Sequence, residues 1–147
     1  GQLMSKALGG VITTSPKPEI GWQPITFNQS DWFGSNPTDK VIHWHYETFS
    51  IPSGATLLAS SDSCPNQAFT IGKHLAMQFH IEIDENKINL WVNDNDDKWR
   101  EAKKHYSTVH GKDKILQDSL VFLKQHQYTA DSIYSTWLKT TEHAQNR

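Results

Sequence analysis

Leu75-Ala76-Met77-Gln78-Phe79-His80-Ile81-Glu82-Ile83 alternates apolar and polar side chains with the two-residue period of a β-strand. Leu75, Met77, Phe79 and Ile81 fall on one face, and Gln78, His80 and Glu82 on the other. A His and a Glu two residues apart on one strand are neighbours. The carboxylate can then orient the imidazole, fix its tautomer and raise its basicity. That is the second half of a nucleophile–base–orienter arrangement, although the same pattern also suits a polar strand face turned to solvent.

Upstream, Val41 to Phe49 alternates in the same way. His43, His45 and Glu47 share one face, and Ile42, Trp44, Tyr46 and Thr48 the other. Two His and a carboxylate on one face can ligate a transition metal, with His80 completing the set. The alternative is an edge strand whose His residues hydrogen-bond locally. Thr56 to Ser60 and Gln67 to Ile71 read as further strands bounded by turns, and Ile51-Pro52-Ser53-Gly54 as a turn. Nearer the start, Val11 to Thr14 is a β-branched run broken by Ser15-Pro16-Lys17-Pro18. Glu19 to Phe27 is a second run, edge-like at Pro24. Residues 28–40 read as a loop with one short helical turn. Gln2 to Leu8 has helical spacing and stops at Gly9-Gly10, yet no side chain precedes it to cap its first N–H groups. Such a start is expected of a helix preceded by further chain, or of a frayed terminus.

Downstream of Asp84 the helical period takes over. Ile88, Trp91 and Val92 are spaced three and four apart; Leu116, Leu120 and Leu123 predict one stripe, and Ile133, Tyr134, Trp137 and Leu138 another. Helix, then strands, then helices implies a sheet with helical cover. The run Asn93-Asp94-Asn95-Asp96-Asp97 lacks the Gly and terminal Glu of a calcium loop and reads as a helix end followed by an N-cap.

Composition narrows the class. The 147 residues carry 14 Lys and Arg against 16 Asp and Glu, a net charge of −2, which lacks the basic surplus of a nucleic-acid binder. Mean hydropathy is −0.63, and no apolar run reaches the roughly 20 residues that span a bilayer. The single Cys64 precludes an intrachain disulfide and suits a reducing compartment, so a cytoplasmic location is expected. Cys64 has no base or cation beside it in sequence, which favours a structural thiol over a nucleophile.

The order of these pieces resembles a known family. Gln2-Leu3-Met4-Ser5-Lys6-Ala7-Leu8-Gly9-Gly10, Glu19-Ile20-Gly21-Trp22, His43-Trp44-His45, Ile51-Pro52-Ser53-Gly54-Ala55, Leu58-Ala59-Ser60-Ser61, Asn66-Gln67-Ala68-Phe69 and Gln78-Phe79-His80-Ile81-Glu82 follow one another as in the class I, triad-type glutamine amidotransferases. The likeness is to the small stand-alone, GMP-synthase-like branch and extends through the helical tail to Trp137-Leu138. It implies an α/β, three-layer, flavodoxin-like fold. Residues 1–147 would be the C-terminal portion of a single glutaminase domain, with residues 101–147 as its helical cover.

The resemblance implies a glutaminase that hydrolyses the side-chain amide of glutamine through a Cys-His-Glu triad and passes ammonia to an acceptor. His80 matches the acid/base and Glu82 its orienter. Gln2 matches the glutamine beside the nucleophile elbow, and Trp44, His45, Tyr46 and Glu47 match the segment that meets the amino-acid end of the substrate. Tyr46 stands where relatives often have Gly, and Glu47 where they often have Asp. The family's elbow reads G-x-C-x-G-x-Q, so its Cys is expected just ahead of Gly1, and the 147 residues alone are expected not to turn over. Neither a cofactor nor a metal is implied, since the family uses the His43–His45 strand without one. Expected partners are glutamine and either an ammonia-accepting small molecule or a synthetase subunit, with no nucleic acid and no membrane. Two other functions fit the same residues: a catalytically inactive binding or regulatory module, and a His/Glu metal-binding domain.

Overall fold

The computed structural model of the protein describes residues 1–35, 37–94 and 96–145. Its first helix, α1 (Gln2–Ala7), has Gly1 at its N-cap and no side-chain capping bond. The two runs that follow form one long strand, β1 (Ile12–Pro24), paired antiparallel with β3 (Lys40–Phe49). The proline-rich break is accommodated as an irregularity. Thr14 pairs with Glu47 and Glu19 with His45, so Ser15–Pro18 stand opposite Tyr46 alone. Prolines are tolerated there because the looped-out residues owe no N–H to the ladder.

A second antiparallel sheet has the order β2-β4-β5-β6, formed by β2 (Thr26–Phe27), β4 (Thr56–Ser60), β5 (Ala68–Ile71) and β6 (His74–Met77). The expected helical turn in residues 28–40 is a short 3-10 turn at Ser30–Trp32; Asn36 of that loop lies outside the described residues. Among the described residues the one parallel pairing is an isolated bridge between Ile20 and Val109. There Ile20 N–H donates to the Thr108 carbonyl at 3.0 Å and His110 N–H to the Ile20 carbonyl at 2.9 Å. Gly21 makes this approach possible. Its φ is +97°, and a Cβ would stand 2.9 Å from the His110 side chain.

The strand anticipated over Leu75 to Ile83 is shorter than its alternation suggests. β6 ends at Met77, where pairing with β5 runs out. The chain then crosses to β3, with His80 N–H donating to the Ile42 carbonyl at 3.1 Å. The alternation persists without the ladder, since Phe79 and Ile81 are buried and His80 and Glu82 are not. Gln78 departs from it and is buried.

Helices α2 (Glu85–Val92), α3 (Asp97–His105) and α4 (Lys112–Gln145) cover one side of β1 and β3. Asp84 caps α2 through the Lys87 N–H. Asp96 caps α3 through the Trp99 N–H, as the Asp-rich run leads one to expect; Asn95 lies outside the described residues. The two helical stripes read from sequence belong to one helix, α4. Ile20, Trp22, Ile42, Ile88, Trp99 and Ile115 fill the core beneath these helices, while Phe33, Val41, Leu58, Phe79, Ala130 and Ile133 form a second core. The stripe needs correcting at three positions. Leu120 is 88% exposed, and Tyr134 and Leu138 are exposed too, whereas Leu116 and Leu123 pack on the core. Among the described residues no helix is long and apolar enough to cross a membrane.

Ile115→Ala is expected to lower the urea unfolding free energy by about 2–5 kcal/mol, because its fully buried side chain would leave a cavity. Leu120→Ala is expected to change it by less than about 0.5 kcal/mol.

Candidate active site

The crossing segment after β6 fixes His80 from both sides. Its N–H is held by β3 at Ile42, and its carbonyl accepts from His126 Nε2 of α4 at 2.8 Å. A carbonyl only accepts, so His126 carries its proton on Nε2. The His80 ring points outward, and its Nδ1 lies 2.7 Å from Glu82 Oε1. With Nδ1–H donated to the carboxylate, Nε2 bears the lone pair and faces away from Glu82. The hydrogen bond from His80 holds the Glu82 carboxyl below the usual carboxylate range, against the opposing effect of partial burial.

Aromatic rings wall the His80 side chain. Trp91 packs edge-on against it with ring centres 4.7 Å apart, and Trp44 stands 5.3 Å from Trp91 and 5.0 Å from Trp99. Trp44, His80, Trp91, Asp94 and Asp96 line a cleft of about 270 Å³. Gly1 packs so tightly on Met77, three residues before His80, that a Cβ there would stand 2.6 Å from the Met77 carbonyl oxygen.

The remaining sequence-selected residues divide between the two faces of β3. Gln2 opens α1 and is half-buried. Tyr46 lies beneath the Lys98 ammonium, 3.8 Å from its ring centre, and with Glu47 it lines a separate cleft beside α3. Burial, reinforced by Asp96 and Glu47, pushes the Tyr46 hydroxyl up to about 12. The Glu47 carbonyl accepts from His45 Nδ1 at 3.0 Å and from Gln78 Nε2 at 2.5 Å. His45 is buried and turned away from the His80 cleft. Its Nε2 lies 3.2 Å from Glu19 Oε2, and Glu19 also accepts from Ser61 Oγ at 2.8 Å and Gln67 Nε2 at 2.7 Å. His43 is fully buried beside them, and burial together with the neighbouring His45, His80 and His126 holds its pKa well below the ordinary range. The carboxylate facing the His pair is therefore Glu19, from the neighbouring strand, and not Glu47. Cys64 is buried against Thr48, and burial raises its thiol pKa, which accords with a structural thiol.

Sequence reading overlooked Glu19, Trp91 and His126 as members of these assemblies. A charged residue leading the buried run Glu19–Gln23 is an available signal for the first. For His126 the signal is its place on the inward stripe Leu116, Ser119, Leu123, His126, Ala130, Ile133 of α4.

No family model matches the chain. Among curated proteins, the glutamine amidotransferase-like protein YfeJ of Salmonella typhimurium is 36% identical over 99 residues, which is 59% of this chain and 41% of that protein. A glutamine-hydrolysing GMP synthase subunit of Sulfurisphaera tokodaii is 29% identical over 96 residues, 62% of this chain and 51% of that one. Among solved structures, a glutamine amidotransferase from Methylobacillus flagellatus matches with a TM-score of 0.86 at 32% identity, over 95% of this chain and 59% of its own. This chain has the class I glutamine amidotransferase fold. A glutamine amidotransferase from Thermotoga maritima agrees, with a TM-score of 0.71 at 25% identity. The amidotransferase-like chain spans about half the length of these curated relatives.

The buried His126 predicts an acid sensitivity. Burial brings its pKa down to about 4 from the usual 6.5. Between these values the unfolded chain binds a proton that the folded chain refuses. Stability is therefore intact above the unfolded value and is lost as pH falls towards the folded one, by up to about 3 kcal/mol. Thermal melts between pH 7 and pH 4 are expected to show a falling Tm, and His126→Gln is expected to flatten part of that fall.

Proposed function

We propose that the protein is the glutamine-hydrolysing part of an amidotransferase, with His80 as acid/base and Glu82 as its orienter. The observation that carries this reading is the 2.7 Å His80–Glu82 contact, at a residue whose N–H and carbonyl are both held, three residues after the Met77 on which Gly1 packs. Residues 1–147 are, in this reading, the C-terminal portion of one glutaminase domain, with 101–147 as its helical cover. A cysteine thiolate supplied from sequence ahead of Gly1 attacks the glutamine side-chain carbon and forms the C–S bond. The imidazolium of His80 then gives its proton to the departing nitrogen as the C–N bond breaks, releasing ammonia and leaving a glutamyl thioester. His80 next takes a proton from water as that water attacks the thioester, and the thiolate leaves with glutamate formed.

In this scheme Glu82, kept ionised, holds the imidazole in the tautomer with its Nε2 lone pair free and stabilises the imidazolium. Gln2 contacts the glutamine substrate, and the backbone of the Trp44–Glu47 segment meets its amino-acid end. The acceptor of ammonia is a small molecule or a synthetase subunit, the latter favoured by the likeness to the glutamine-hydrolysing subunit of GMP synthase.

The test is ammonia and glutamate release from glutamine by the product of the whole reading frame. His80→Ala is expected to reduce the rate by about 10³-fold or more, and Glu82→Gln by about 10²–10⁴-fold, with little change in thermal stability. The 147 residues alone are expected to be inactive. A whole reading frame without a cysteine ahead of Gly1, or full activity in His80→Ala, would overturn the assignment and leave a binding or regulatory module.

A further inference from the structure

Gln78 is the polar residue of the 75–83 run that stays inside: it is 6% exposed, whereas His80 and Glu82 beyond it are not buried. A buried carboxamide costs free energy unless its polar atoms find partners. Its Nε2 donates to the Glu47 backbone carbonyl at 2.5 Å, across 31 positions of sequence. A carbonyl only accepts, so this contact also fixes which way the amide faces. We propose, on the glutaminase reading above, that Gln78 is a positioning residue. It holds the backbone of the Trp44–Glu47 segment in place relative to His80, and so governs how tightly the amino-acid end of glutamine is bound.

The contact belongs to a closed ring of polar links. Gln78 N–H donates to the Gln67 carbonyl at 2.7 Å, and Gln67 Nε2 donates to Glu19 Oε2 at 2.7 Å. Glu19 Oε2 lies 3.2 Å from His45 Nε2. His45 Nδ1–H donates to the Glu47 carbonyl at 3.0 Å, where Gln78 Nε2 meets it. Gln67 stands just ahead of β5 and Gln78 just after β6, so the ring ties both ends of that hairpin to β1 and β3. The side chains of Glu19, His45, Gln67 and Gln78 are all buried. Water does not compete for these bonds, which are correspondingly firm.

Segment 78–80 is thereby tied to β3 twice. His80 N–H donates to the Ile42 carbonyl at 3.1 Å, and Gln78 Nε2 to the Glu47 carbonyl further along the same strand. Phe79, between them, is buried. One tie alone leaves the segment free to pivot about it, whereas two fix both distance and orientation. Removing the Gln78 donor leaves the Ile42–His80 tie and the His80–Glu82 contact in place. The Glu47 carbonyl keeps His45 as its second donor, so the strand shifts without coming apart. The acid/base pair is then preserved while the backbone that meets the substrate relaxes. Such a change raises KM and spares kcat.

Gln78→Met in the product of the whole reading frame tests this, because Met keeps the unbranched side chain and removes the N–H donor. The expected result is a KM for glutamine raised by about 10-fold or more, with kcat within about 3-fold of the unaltered protein. With butanamide, an amide that lacks the amino-acid end, kcat/KM is expected to change by less than about 3-fold. An unchanged KM for glutamine, a loss confined to kcat, or an equal loss with both amides would overturn the role of Gln78. His80→Ala separates this from the reading beneath it. Activity retained in His80→Ala overturns the glutaminase assignment, whereas activity lost there, beside a normal KM in Gln78→Met, overturns the positioning role alone. If Gln78→Met fails to fold, a crystal structure of the unaltered whole protein with glutamate bound decides. The amino-acid end is expected against the backbone of residues 44–47, with the Glu47 carbonyl still held by Gln78. Glutamate bound elsewhere, or a Glu47 carbonyl released from Gln78, would overturn the proposal.

Discussion

A carboxylate sealed in the interior sets the terms on which the strands of this protein meet. Glu19 is 2% exposed, and an unpaired buried charge costs several kcal/mol, so the chain must bring it partners. It does so from three other places: His45 on β3, Ser61 after β4, and Gln67 just ahead of β5. Satisfying one side chain therefore ties the two-stranded sheet to the four-stranded one. It also fixes the register in which Glu19 faces His45 across β1 and β3, beside the looped-out prolines.

The position of β3 in turn decides where the proposed acid/base stands. The Ile42 carbonyl receives the chain as it leaves β6, and the Glu47 carbonyl is shared by His45 and Gln78. One strand thus links the buried cluster, the segment assigned to the substrate, and the His80 backbone. Helix α4 completes the arrangement from the other side: burial keeps His126 neutral, and its Nε2–H donates to the His80 carbonyl. The side chain proposed to exchange protons remains partly exposed, whereas Ile42 and His126, which hold its backbone, are buried.

Much of this was legible in the chain. The alternation of residues 75–83 placed His80 and Glu82 side by side, and they are in contact even though the ladder stops at Met77, because alternation depends on extended backbone and not on a pairing partner. The Asp cap of α3 and the glycines after α1 are local signals, and they hold. The errors share a cause. Leu120 sits at helical spacing from Leu116 and Leu123 but looks outward, because which stripe of a long helix is buried depends on what packs against it. Ser15–Pro18 reads as an end to the strand, whereas β3 continues on both sides of it.

The sequence by itself determined the order of elements, the His–Glu neighbour pair, the likeness to the amidotransferases and the absence of a disulfide among these residues. Each rests on spacing along the chain or on composition. Only the tertiary structure decided that Glu19 meets His43 and His45, that His126 holds the His80 carbonyl across 46 positions of sequence, and that Trp91 walls the cleft. These are meetings between residues far apart in the chain. They form because buried polar atoms must find partners wherever the packing of strands and helices delivers them, and no local pattern encodes that address.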